Sequence, residues 1–241
     1  MIKSSNFLLN LRLCFYGVAL LHLVFAAFTI LPIDMSNDED PRVSVYIRVR
    51  WKLLTCWFNL LSIAYLPIAL YCDWKEKKGE WDKENVRTLR KIRDFMMTSI
   101  LFPTTMYSDY FFWRMWTKDP ALIAPVAIFK YLPPWAHHSL HTVSGVMVLL
   151  DILFLPRKRP KSILPGLMGL FAFCSIYSAV LVMSYYSGEV VYSFLDIFSR
   201  SQLCLLGLLA FTEHVFFYTL QWCIIGLVWG KPTDTIAKKI D

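Results

Sequence analysis

The sequence predicts an all-α polytopic membrane protein with six transmembrane helices and both termini in the cytosol. Three observations predict it. Hydrophobic residues make up 56% of the 241 residues and charged ones only 18%, less charge than soluble domains carry. The apolar residues fall in continuous runs of about 20, the length that crosses a bilayer as a helix, and do not alternate as barrel strands do. The Lys and Arg residues crowd into every second loop, as the positive-inside rule requires of a multipass chain.

The first run covers 8–31, with Arg12 placed to snorkel to the interface and His22 near the middle. A polar loop, Pro32 to Arg50, leads to the second run, 51–71. Trp51-Lys52 opens that run as an interfacial anchor, Thr55 lies one turn further in, and Asn59 shares its face. The charged segment 73–93 precedes the third run, 94–116, where Asp94 suits a helix start and Pro103 a kink. A proline-rich loop precedes the fourth run, 135–155. The basic turn Arg157-Lys158-Arg159-Pro160-Lys161 joins it to the fifth, 163–186. The sixth run covers 201–229, and Glu213-His214 in its interior reads as an interhelical contact. No repeat or linker divides 1–241, so one membrane domain is expected.

Most of the 25 Lys and Arg residues lie at the N-terminus, in 73–93, in the 157–161 turn and in the tail. That asymmetry puts both termini in the cytosol. Helices two and four then enter from the non-cytosolic side. Thr55 and His141 both fall within about two turns of their helix starts, roughly 6–10 Å in at 1.5 Å per residue. The net charge of +7 points to anionic headgroups. No nucleic-acid module accompanies it. The six cysteines form no CxxC pair and read as small buried hydrophobes. No cleavable signal is expected at the N-terminus.

Three of the five histidines stand together in Trp135-Ala136-His137-His138-Ser139-Leu140-His141-Thr142. Ionisable groups are costly in a membrane and mark function when present. A hydroxyl beside an imidazole makes a nucleophile–base pair for acyl transfer. His137 and His141, four apart, have a spacing that also binds metals, but only His22 and His214 remain to complete a second cluster. The GxSxG elbow and Gly-rich phosphate loops are absent.

Four stretches, in order, carry a family resemblance: Trp51-Lys52-Leu53-Leu54-Thr55; Arg93-Asp94-Phe95 with Phe102-Pro103; Trp135 to Thr142; and Gly188-Glu189-Val190-Val191-Tyr192-Ser193-Phe194-Leu195. The chain resembles the androgen-induced and androgen-dependent TFPI-regulating membrane proteins, multipass threonine hydrolases of fatty acid esters of hydroxy fatty acids. It departs from their pattern at His137, where they carry Asn, and at Ser193, where they carry Pro. The resemblance implies an ester hydrolase with Thr55 as nucleophile and His141 as general base. His138 and Asn59 are candidates for orienting groups or an oxyanion site. No metal or organic cofactor is implied. The expected partners are a lipid substrate and the bilayer, in the endoplasmic reticulum or plasma membrane, with the site near the non-cytosolic leaflet. One rival is a non-enzymatic lipid-binding or signalling protein of the same fold. The other is a histidine-ligated metal or haem protein.

Overall fold

A computed structural model describes residues 5–230. Lys3, Lys231, Lys238 and Lys239, which entered the charge argument for topology, lie outside the described residues. The described chain is all helical, without a strand. Four helical stretches are long and apolar enough to cross a membrane: Asn6–Ile30, Pro41–Lys77, Leu164–Tyr186 and Arg200–Trp229. They make the chain an integral membrane protein.

Helix α1 (Asn6–Ile30) starts at Ser5, whose hydroxyl accepts the Leu8 amide. Its buried residues, Leu9, Arg12, Tyr16, Ala19, Leu23 and Ala26, recur every three or four positions and form one stripe. Phe7, Val18, Leu21, Phe25 and Phe28 are exposed on the other side, an apolar surface suited to lipid. The expected loop after α1 holds a further helix, α2 (Pro41–Val49). Asp40 caps it and Pro41 takes the first helical position, where a missing N–H costs nothing. The acidic cluster before Pro41 is therefore a helix start. A 3-10 turn, Arg50–Lys52, then leads into α3 (Leu54–Lys77).

The third run begins earlier than Asp94 suggests. Helix α4 (Glu84–Phe95) passes through a π-helical segment, Met96–Leu101, directly into α5 (Phe102–Trp116). Asp94 sits inside a helix, paired with Arg93 at 3.0 Å, and caps nothing. Pro103 lacks an N–H, and the π segment immediately before it widens the turn there. The fourth run is broken in the same way. Helix α6 (Pro134–His138) is followed by a π segment, Ser139–Val143, and then α7 (Ser144–Phe154). Helix α8 (Leu164–Tyr186), the short α9 (Phe194–Ile197) and α10 (Arg200–Trp229) complete the chain. A reciprocal Ser199–Gln202 capping box opens α10.

The main core gathers Tyr16, Leu23, Phe58, Tyr65, Phe102, Ile152, Leu170, Tyr218 and Ile225. A second cluster of Met35, Val43, Ala124, Ile128 and Leu132 closes the end where α3 begins. Asp38 pins that lid by accepting from Lys130 at 2.6 Å and Tyr131 at 2.7 Å. Those two bonds hold its carboxyl down at about 2.

The opposite end is built on buried charge. Arg12 does not snorkel: it is fully buried. It lies on the core stripe of α1 and faces the last turns of α3, where its guanidinium donates to Asp73 (2.8 and 3.0 Å) and Glu76 (2.9 Å). Arg93 stands 3.5 Å from the same Asp73. Nearby, Asp151 accepts from Tyr16 (2.8 Å) and Tyr65 (2.5 Å) and forms an ion pair with Arg157 at 2.5 Å. The basic turn thus sends its first residue inward. Each charge is matched, as burial in low dielectric demands. Removing one partner leaves carboxylates stranded, so Arg12→Ala is expected to cost about 3–5 kcal/mol. Adding Asp73→Asn should recover part of that loss. Unfolding of the purified single and double variants checks both, and an Arg12→Ala protein as stable as wild type would refute the role.

Candidate active site

Thr55 is the second residue of α3, whose start is held from outside. Leu53 supplies no side-chain cap. Instead the Tyr192 hydroxyl accepts the Leu54 amide at 2.9 Å. Tyr192 shares a 3.0 Å hydrogen bond with Tyr177, and Tyr177 donates to the Lys52 carbonyl at 3.1 Å. The Lys52 ammonium binds Glu189 at 2.5 Å and Ser184 at 2.9 Å, which holds the Glu189 carboxyl below its usual range. Gly188, at φ +76°, makes the turn that brings Glu189 and Tyr192 round. The Trp51–Thr55 and Gly188–Leu195 stretches, distant in sequence, therefore meet. Asn59, one turn on, donates its amide to the Thr55 carbonyl at 2.8 Å.

His141 sits in the second π segment. Such a segment disturbs the regular ladder, and the Trp113 indole donates to the His141 carbonyl at 2.8 Å. Phe112 stacks on the imidazole with ring centroids 3.6 Å apart and planes within 2°. The ring is thus clamped from one face and its own backbone is anchored. Thr55 Oγ1 lies 3.5 Å from His141 Nε2. On the other edge, His141 Nδ1 lies 3.5 Å from Asp109 Oδ1. Asp109 is positioned in turn: its Oδ2 accepts from Ser144 at 2.7 Å. A Cβ at position 145 would stand 2.9 Å from that oxygen, so Gly145 allows α5 and α7 to approach here.

The other sequence candidates fall elsewhere. His138 is exposed; its Nδ1 stands 3.2 Å from Thr142 Oγ1 and its ring lies against Trp113. The structure does not bring it to Thr55. One amide hydrogen of Asn59 is spent on the Thr55 backbone, so its contact with the nucleophile candidate is with the carbonyl. His137 lies among Phe112, Trp116 and Phe129. His22 bonds to Ser139 at 2.8 Å. His214 donates from Nδ1 to the Ala210 carbonyl at 2.7 Å, while Glu213 pairs with Arg114 at 2.7 Å between α10 and α5. Among the described residues, no three His, Cys, Asp or Glu side chains are grouped to hold a metal ion.

Asp109 is the site residue that sequence reading missed. Its signal was present: it is a carboxylate in the middle of an apolar run, where ionisable groups usually have a purpose. A narrow cavity of about 100 Å³ opens beside Thr55. Leu23, Ala26, Ile30, Leu60, Ile63 and Leu140 make its wall, together with Asn59, and Arg50 is its one charged lining residue.

Residues 12–224 match the sequence model of the FAR-17a/AIG1-like protein family. The chain belongs to this family. Its members include the human androgen-dependent TFPI-regulating protein, 27% identical to it over 209 residues, with 85% of this chain and 87% of the relative covered. The golden hamster (Mesocricetus auratus) protein of that name is 23% identical over 207 residues, covering 85% and 88%. The human androgen-induced gene 1 protein is 24% identical over 155 residues, covering 61% and 63%. No solved structure matches the chain. All four stretches that carry the family resemblance lie inside the matched region.

Tyr192 and Lys52 give this family member a start for α3 that does not depend on a local cap. Tyr192→Phe removes the acceptor of the Leu54 amide and is expected to cost about 1–2 kcal/mol. Tyr185→Phe, at an exposed position, should cost nothing measurable. Thermal unfolding of the two variants makes the comparison. Equal stability would show that the cap contributes nothing.

Proposed function

We propose that the chain is an intramembrane carboxylic ester hydrolase. Its substrates are fatty acid esters of hydroxy fatty acids, Thr55 is the nucleophile and His141 the general base. The observation that supports this most directly is the alignment Thr55–His141–Asp109, from residues far apart in sequence, beside an apolar cavity. Nucleophile and base hydrogen bonds are often this long before substrate tightens them.

In this reading His141 carries its resting proton on Nδ1, toward Asp109, which leaves Nε2 free as the base. Thr55 Oγ1 attacks the ester carbonyl carbon as Nε2 takes its proton. The tetrahedral oxyanion collapses, the C–O bond to the hydroxy acid breaks, and Nε2–H protonates that leaving oxygen. Water, deprotonated by Nε2, then attacks the acyl-threonine, and the fatty acid departs as Thr55 regains its proton. Asp109 stabilises the imidazolium in both halves. Thr55 lies in the first turn of α3, where amides have no intrahelical acceptor. Its own N–H and the helix dipole would serve the oxyanion. Asn59 positions the nucleophile by holding its carbonyl, and His138 has no part. No metal or organic cofactor enters.

The cavity wall suits an acyl chain arriving laterally from lipid. Arg50 supplies a cation for the free carboxylate of the hydroxy acid half: its Nη1 donates to the Ile33 carbonyl at 3.2 Å while its Nε has no acceptor. The same reading takes the two π-broken helical stretches as spans three and four. That gives six spans with cytosolic termini and a site near the non-cytosolic leaflet of the endoplasmic reticulum or plasma membrane.

Hydrolysis of a fatty acid ester of a hydroxy fatty acid by the purified full-length protein tests the proposal. Thr55→Ala should abolish turnover, while His141→Ala and Asp109→Asn should each lower kcat by about 10²–10⁴-fold. Arg50→Gln should raise KM for the free acid but leave its methyl ester unaffected. Turnover that survives Thr55→Ala would defeat the mechanism, and a folded protein inert toward all such esters would favour the lipid-binding reading.

A further inference from the structure

A second cavity, of about 510 Å³, opens at the end of the bundle that carries the basic turn. It lies between that turn, the π segment Met96–Leu101, the start of α8 and α10. Asp94, Ser99, Arg157, Lys158, Gly166 and Trp222 are among its lining residues. None of them belongs to the Thr55 site.

The buried side-chain atoms left without a hydrogen bond in this lining are donors, Arg157 Nε and Trp222 Nε1. Arg157 is only 6% exposed, and the inner edge of its fork is committed: Nη1 binds Asp151 and Nη2 reaches the Tyr65 hydroxyl at 3.3 Å. Its Nε has no hydrogen-bond acceptor, and the Asp94 carboxylate oxygen beside it is 3.6 Å away. That carboxylate is already matched by Arg93 at 3.0 Å. Trp222, 7% exposed, has an indole N–H with no acceptor. Helix α8, 23 residues long, begins at this cavity. Ser162 accepts the Leu164 amide at 3.3 Å, Pro165 has no N–H and the Leu167 amide donates to the Ile163 carbonyl, so the Gly166 amide is the one left in the first turn to join the helix dipole in favouring an anion. A Cβ at Gly166 would collide with the Tyr218 hydroxyl and stand 2.9 Å from Ser99 Oγ, so the glycine lets both hydroxyls pack against the start of α8. Lys158 adds an exposed cation at the rim.

Unmet donors around a roomy, positively biased hollow call for an anionic acceptor with several oxygens. We infer that this cavity binds a phosphate group, carried by a phospholipid headgroup or by a soluble phosphate compound. The tetrahedral oxygens can face Arg157 Nε, the Gly166 amide and Lys158 together, which a single carboxylate cannot. The hollow lies at the polar end of the membrane-embedded bundle, where phospholipid headgroups are concentrated. Nothing in the inference depends on ester hydrolysis.

Titration of the full-length protein in neutral detergent, with dioctanoyl phosphatidic acid and with inorganic phosphate, tests it. Lys158 is exposed, so Lys158→Gln should fold as wild type does, which its unfolding temperature confirms. Lys161→Gln removes an equal charge from the same turn outside the lining. The expected result is saturable binding weakened about tenfold in Lys158→Gln and less than about twofold in Lys161→Gln. Binding of the lipid alone identifies a headgroup site, and equal binding of inorganic phosphate identifies a soluble ligand. No saturable binding of either, or a loss in Lys158→Gln no greater than in Lys161→Gln, overturns the inference.

Discussion

The Arg12 guanidinium between Asp73 and Glu76 is the constraint on which the arrangement depends. A buried charge without its partners costs several kcal/mol, so α1 and α3 have one acceptable alignment along their axes. Arg93 and Arg157 extend the same requirement to α4 and the basic turn. Helix α3 is then a rod with a fixed end. Thr55 lies 18 residues before Asp73, about 27 Å along the axis. The depth of the hydroxyl is therefore set by charges far from it, and Tyr192 and Tyr177 fix its other end.

His141 is held by a different device. The π segments are the irregular parts of the bundle, and one of them carries the imidazole. Phe112 fixes the plane of the ring, Trp113 its backbone, and Asp109 faces its second nitrogen. Each of these three comes from one helix, α5, in two turns. Ser144 and the bare backbone of Gly145 let that helix come close enough for the carboxylate to reach. Rigid elements, not loops, thus set the geometry on both sides of the 3.5 Å gap, which is the precision acyl transfer asks of its groups.

Much of this was legible in the sequence, and the limits have physical causes. Continuous apolar runs located α1, α8 and α10 to within two residues, because length and hydropathy decide a span. Thr55 and His141 could be assigned to similar depths from helix direction alone, but not to contact, which depends on packing between helices. Arg12 misled because snorkelling and internal pairing look alike in sequence; only the position of Asp73 and Glu76 separates them. Asp94 looked like a cap because nothing local marks the helix that precedes it. The π segments have no period to read, and Asp109 was hidden in an apolar run by the assumption that its neighbours spoke for it.

The central claim is that Thr55 is an activated nucleophile, and mapping a covalent adduct tests it most directly. Full-length protein is treated with a fluorophosphonate and the modified residue located by mass spectrometry. The account predicts a phosphonyl group on Thr55 Oγ1, absent from Thr55→Ala and strongly reduced in His141→Ala. An adduct on another residue, in protein that hydrolyses its ester and loses that activity on labelling, would contradict it.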